Sequence, residues 1–83
     1  MARIKVSGNV FRNDGSIDFK ARSAAFINAG DDTVFLDTYG VELQPGDVFS
    51  LPLSPIAEDF YEDSVAFSFL SNSNRRLQFV QYK

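Results

Sequence analysis

Carboxylates are the side chains here whose types and spacing come nearest to chemistry. Glu58, Asp59, Glu62 and Asp63 fall in one short stretch, and Asp31-Asp32 form a second group. Clusters of oxygen ligands suit a hard cation such as calcium, but neither group has the ligand spacing of an EF-hand loop. They read as solvated acidic loops. Paired carboxylates also cleave glycosides when held roughly 5–10 Å apart across a cleft, and a domain this small rarely builds one. Triads of the usual nucleophile–histidine kind are excluded, because the chain has neither His nor Cys. Its lysines, Lys5, Lys20 and Lys83, stand in no recognisable Ser–Lys motif, and its five scattered glycines form no phosphate-cradling GxGxxG or GK[ST] loop. The expectation is a non-enzymatic protein with no catalytic residue, no metal site and no cofactor.

Rings are the other recognition chemistry on offer, with nine Phe and three Tyr but no Trp. Tyr39, Phe60, Tyr61 and Tyr82 are candidates to present ring faces to a sugar. Phe and Tyr at period two, however, are more often core or interface. Stacking on nucleic acid also uses exposed rings, but it needs cations for the phosphates. Residues 23–74 carry nine acidic groups and no Lys or Arg, a balance of −9, whereas residues 1–22 and 75–83 each carry +3. Nucleic acid is therefore not an expected partner, although Arg3, Lys5, Arg75 and Arg76 would form a basic edge if the terminal strands pair. The segregation suits contact between the basic edge of one molecule and the acidic face of another.

These groups must be positioned by short strands. Eighty-three residues make one domain, 1–83, and a chain of that size buries only about 60–65% of its unfolded surface. With no disulfide to help, packing falls to the rings, each worth roughly 150–250 Å² of burial. The expectation is that not all of them fit inside, and that some meet a partner. Met1-Ala2-Arg3-Ile4-Lys5 lacks the apolar core of a signal peptide, and no apolar run reaches the ~20 residues of a membrane span. The protein is expected to stay soluble, in a cytosol or in a particle assembled there.

The stretch Phe26 to Leu53 organises the reading. It runs strand, turn at Asn28–Asp32, strand at Thr33–Leu36, a continuation over Tyr39–Leu43, turn, and strand at Val48–Leu51. Gly30 is expected at positive φ in the first turn. Gln44-Pro45-Gly46-Asp47 has the residues of a type II turn, with Pro presetting φ and Gly supplying its positive value. The whole reads as a meander. Upstream, Arg3–Ser7 alternates, and Asn13-Asp14-Gly15-Ser16 is a hairpin signal. Ile17, Phe19 and Ala21 then point inward, with Asp18, Lys20 and Arg22 outward. Downstream, Pro52-Leu53-Ser54-Pro55 suggests an edge or crossover, and Ile56–Asp63 reads as one helical turn or a loop. Ser64–Leu70 is a strand with Val65, Phe67 and Phe69 on one face. Arg75–Tyr82 is the last strand, with Leu77 and Phe79 on one side and Gln78, Val80 and Tyr82 on the other. Seven or eight short strands at this spacing predict an all-β fold, a small antiparallel sandwich or barrel.

Asn28-x-Gly30-x-x-Thr33-Val34-x-Leu36, followed by Leu43-x-Pro45-Gly46-Asp47-x-Phe49-Ser50-Leu51, resembles a pattern in small β-sandwich structural proteins of tailed bacteriophages. Cupin-like barrels use a similar L-x-PG-D turn, but the histidines of their metal site have no counterpart here. The phage resemblance implies a virion role, as capsid decoration, vertex stabiliser, or a neck, tail or fibre component, with no catalytic residues.

The function expected is thus that of a virion structural protein, made in the host cytoplasm. Its partners would be other copies of itself and other virion proteins, as a homo-oligomer or part of a larger assembly, without nucleic acid or membrane. Phe60, Tyr61, Tyr82, Arg75 and Arg76 are the candidate partner-binding residues. A carbohydrate- or receptor-binding β module is the alternative.

Overall fold

The computed structural model describes residues 6–52, 61–71 and 73–82. Arg3, Lys5, Phe60 and Lys83 lie outside them, as do Leu53 to Pro55 and most of the Ile56–Asp63 stretch. The strands are β1 (Val6–Phe11), β2 (Gly15–Ala21), β3 (Ser23–Asn28), β4 (Val34–Leu36), β5 (Val41–Leu43), β6 (Val48–Leu51), β7 (Tyr61–Phe69) and β8 (Leu77–Tyr82). They form two four-stranded sheets, a first of order β1-β8-β3-β6 and a second of order β2-β7-β4-β5. Every pairing is antiparallel. The all-β sandwich read from the sequence is what the chain builds.

The pairs β1·β8, β2·β7, β3·β6 and β4·β5 nest inside one another. A ribbon paired this way and rolled up is the wrapped order of a jelly roll. Among the described strands only β4 and β5, neighbours in sequence, also pair as a hairpin. This overturns two sequence expectations. Asn13–Ser16 is not a hairpin but a corner, delivering β1 to the first sheet and β2 to the second. Its Asp14 carboxylate accepts the Phe69 N–H at 2.9 Å, tying the corner to the β2·β7 pair. The Phe26–Leu53 stretch is not a meander either. β3 and β6 pair in the first sheet, while β4 and β5 sit in the second.

Asn28 shows why the chain crosses between layers there. It is fully buried at the end of β3, and its Nδ2 donates to Asp32 O at 2.7 Å and to Leu43 O at 2.9 Å. Its Oδ1 accepts from Gly30 N at 3.2 Å. One side chain thus closes the crossover loop and staples the first sheet to β5 of the second. Gly30 does not supply positive φ; Gly40 and Gly46 do. What Gly30 provides is space. A Cβ there would run into Asn74 O and lie 2.7 Å from Arg76 N, where the β3–β4 and β7–β8 crossovers run side by side. The Gln44–Asp47 turn forms as its residues dictate, with Gly46 at φ +90 and Asp47 N donating to Gln44 O at 2.9 Å.

Alternation fills the space between the sheets. Ile17, Phe19 and Ala21 of β2 and Val65, Phe67 and Phe69 of β7 meet Ala24 and Phe26 of β3 and Leu77 and Phe79 of β8. Phe19 touches Phe79 across the layers at a centroid distance of 5.4 Å, and Phe26 lies 5.0 Å from Phe79. Phe11, Phe49, Tyr39 and Tyr61 pack against this cluster from its margins. Most of the described rings fit the interior, and two do not: Tyr82 is exposed, and Phe35, between the buried Val34 and Leu36 of β4, is turned half-covered to the outer side of the second sheet beside Glu42 and Ser68. Offset and edge-on contacts let a thin sandwich hold many rings.

Candidate interaction face

The strand register decides what each sheet turns to solvent, because opposed residues share a face. Across the outer side of the first sheet, Val10, Gln78, Ile27 and Val48 form one row. The next row is Gly8, Val80, Ala25 and Ser50, and Ser23 and Tyr82 lie beyond it. None of these ten residues is charged. Val48 is 57% exposed and Val10 44%, both on the sheet's edge strands. Ile27, Val80 and Ala25 are half-buried between them.

The outer side of the second sheet is a different surface. Asp18 and Lys20 of β2, Glu62 of β7 and Glu42 of β5 are all exposed there. Asp18 accepts a hydrogen bond from Ser64 Oγ, Ser68 Oγ donates to Asp37 at 3.0 Å, and Gln44 Nε2 donates to Glu42 at 2.8 Å. An open depression of about 430 Å³ lies along β2 and β7, lined by Asp18, Phe19, Lys20, Glu62, Asp63 and Ser64. Among the described residues no group of three or more Asp or Glu converges as metal ligands would.

The carboxylates singled out in the sequence serve the frame where they are described. Asp32 is buried and accepts from Ser71 N at 3.0 and 3.1 Å and from Ser71 Oγ at 2.9 Å, with Arg75 Nε at 3.4 Å. Loss of solvent pushes its pKa up. The Ser71 hydroxyl and N–H, the Thr33 N–H and Arg75 together outweigh that and hold it below the usual carboxylate value. Asp31 accepts from Asn74 Nδ2 at 2.9 Å. Asp63 accepts from the Tyr39 hydroxyl at 2.9 Å. Partial burial, then that hydrogen bond and the nearby charge, push the phenol up to about 12.

The candidate contact residues are dispersed. Arg75 is turned inward onto Asp32 and the Ser71 carbonyl, with its guanidinium 5.2 Å from the centre of the Phe69 ring. Arg76 is exposed. The half-buried Tyr61 donates its hydroxyl to Pro52 O at 2.9 Å, and Phe60 is outside the described residues. Of the described ones, Tyr82 alone lies on the uncharged face. The face's other members, Val10, Ile27, Val48 and Val80, were not singled out from the sequence. A usable signal was there: residues 23–30 and 77–82 contain no charge, and Leu77–Tyr82 has apolar side chains at both parities.

Comparison with protein-family models, with curated proteins and with solved structures finds no match for this chain.

Proposed function

We propose that this protein is a non-enzymatic structural component of a bacteriophage particle, an auxiliary capsid (decoration) or neck or tail protein made in the host cytoplasm, acting through protein–protein contacts. The observation that carries this reading is the uncharged outer face of the first sheet. The chain has 19 charged residues among 83, and the described residues of this four-stranded face include none of them. Contiguous surface of that kind, bounded by polar residues, marks a site of macromolecular contact. The jelly-roll order adds support by analogy, since viral capsid domains use it, as do lectins and cupins.

The tyrosines favour this reading over a glycan-binding module. The Tyr39 and Tyr61 hydroxyls are engaged by Asp63 and Pro52, and Tyr82 stands on the opposite layer from Tyr39. They form no common platform. Quantitative mass spectrometry of gradient-purified particles from cells producing this chain tests the proposal. Co-banding at a fixed copy number relative to the major coat protein is the expected result. Recovery of the chain only in the soluble fraction overturns it.

A further inference from the structure

The uncharged face has a shape of its own. Its first row is large, with Val10, Ile27 and Val48; its second is mostly small, with Gly8, Ala25 and Ser50 at the matching places. We propose that two copies of this chain stack through these faces about a two-fold axis lying along the rows, with the large row of each copy seated over the small row of the other. The inference rests on reading this face as adhesive, and it names the occupant.

Three arguments select a second copy. A rotation about that axis sets Val10 over Gly8, Ile27 over Ala25 and Val48 over Ser50 of the second copy, with Gln78 over Val80 between them, so three of the four positions pair large with small across an isologous contact. Sheets stacked this way run nearly aligned, about 10 Å apart. Charge points the same way. Each copy carries a net −3, and the second sheet presents acidic groups, so this stacking keeps those groups on the far sides. Area sets the strength. Four strands about 4.8 Å apart and the two overlapping rows about 7 Å apart give roughly 300 Å² of face per copy. The pair buries about 600 Å², the size of a weak, transient contact and below the range of stable specific interfaces. The dimer should therefore be reversible, with a dissociation constant weaker than about 1 µM.

Sedimentation equilibrium of the purified chain, up to about 1 mM and at about 50 and 500 mM salt, tests this. The expected result is a monomer–dimer equilibrium that holds or tightens as salt screens the net negative charge. Val10→Lys and Val48→Lys should each weaken it about tenfold or more, whereas Ser16→Lys on the second sheet should not. Each lysine lowers the net negative charge, so simple charge repulsion predicts the opposite sign. Val10→Thr and Val48→Thr keep the β-branched shape and should weaken the dimer less; they carry the test if a lysine variant misfolds. A monomer at every concentration, or a dimer indifferent to both valines, overturns the proposal. Presence of the chain in particles is measured separately, so a monomer that still co-bands with particles sinks the dimer and leaves the structural role standing.

Discussion

The two outer faces of this sandwich are built on the same interior and answer to water differently. On the second sheet, Asp18, Lys20, Glu42 and Glu62 alternate outward from strands whose other residues fill the core. On the first sheet, the same alternation brings Val10, Ile27, Val48 and Val80 outward. Nothing in the pleat requires that difference, because outward positions of a solvated sheet are free to be polar. Apolar residues stand outward on all four strands of the first layer, whereas on the second Phe35 and Ala66 stand among charged neighbours, and the proposed protein contact rests on that difference.

The comparison can be broken hardest from beneath. Phe26 is buried and in ring contact with Phe19, Phe79, Phe49 and Tyr39. Phe26→Ala should cost about 3–5 kcal/mol, read by chemical denaturation, and abolish both faces together. Asn28→Ala comes next, at about 2–3 kcal/mol, because it strands the Asp32 and Leu43 carbonyls inside. The faces separate at the third level. Val48→Lys and Ser16→Lys should each shift stability by no more than about 0.5 kcal/mol, since both positions are exposed. Only the first should change association. A Val48→Lys protein that unfolds would place Val48 in the core instead.

The smallest effects belong to the groups that tie loops at the rim. Tyr39 has its folded pKa raised from 10.0 to about 12. Its contribution is whole below about pH 10 and is lost as pH climbs through 12, so Tyr39→Phe should flatten the stability profile in that window. Asp32 is shifted the other way. Its contribution is whole above the ordinary carboxylate range and is lost as pH falls through its lowered folded value. Asp32→Asn should remove that acid-side slope in a series of denaturant melts.

Much of the layer structure was legible in the chain, and for a local reason. Period-two patterns at Ile17–Ala21 and Val65–Phe69 report which side of a strand meets the core, and the structure buries those residues; Leu77–Tyr82, apolar at both parities, reads as covered on both faces, whereas Leu77 and Phe79 are buried and Tyr82 is exposed. The Pro45-Gly46 turn is equally local. What resisted reading was which strand pairs with which. Asp14-Gly15 carries the same turn chemistry whether it closes a hairpin or turns a corner, and the distant partners, β8 for β1 and β7 for β2, make it a corner. Gly30 reads as a positive-φ residue, whereas its reason is the backbone of Asn74 and Arg76, more than forty residues away. The candidate contacts were misdirected by rings. Aromatic excess points to rings as contacts, but most of the described rings pack inside, Phe35 and Tyr82 excepted, and the exposed apolar residues of the first sheet are chiefly aliphatic.

The claim that one face is made to be covered is tested most directly by concentration-dependent amide chemical shifts, recorded from about 20 µM to about 1 mM. The account predicts shifts that move together and map to Val10, Ala25, Ile27, Val48 and Val80, with Ser16, Lys20, Glu42 and Glu62 unmoved. Shifts confined to the charged face, or none at any concentration, would contradict it.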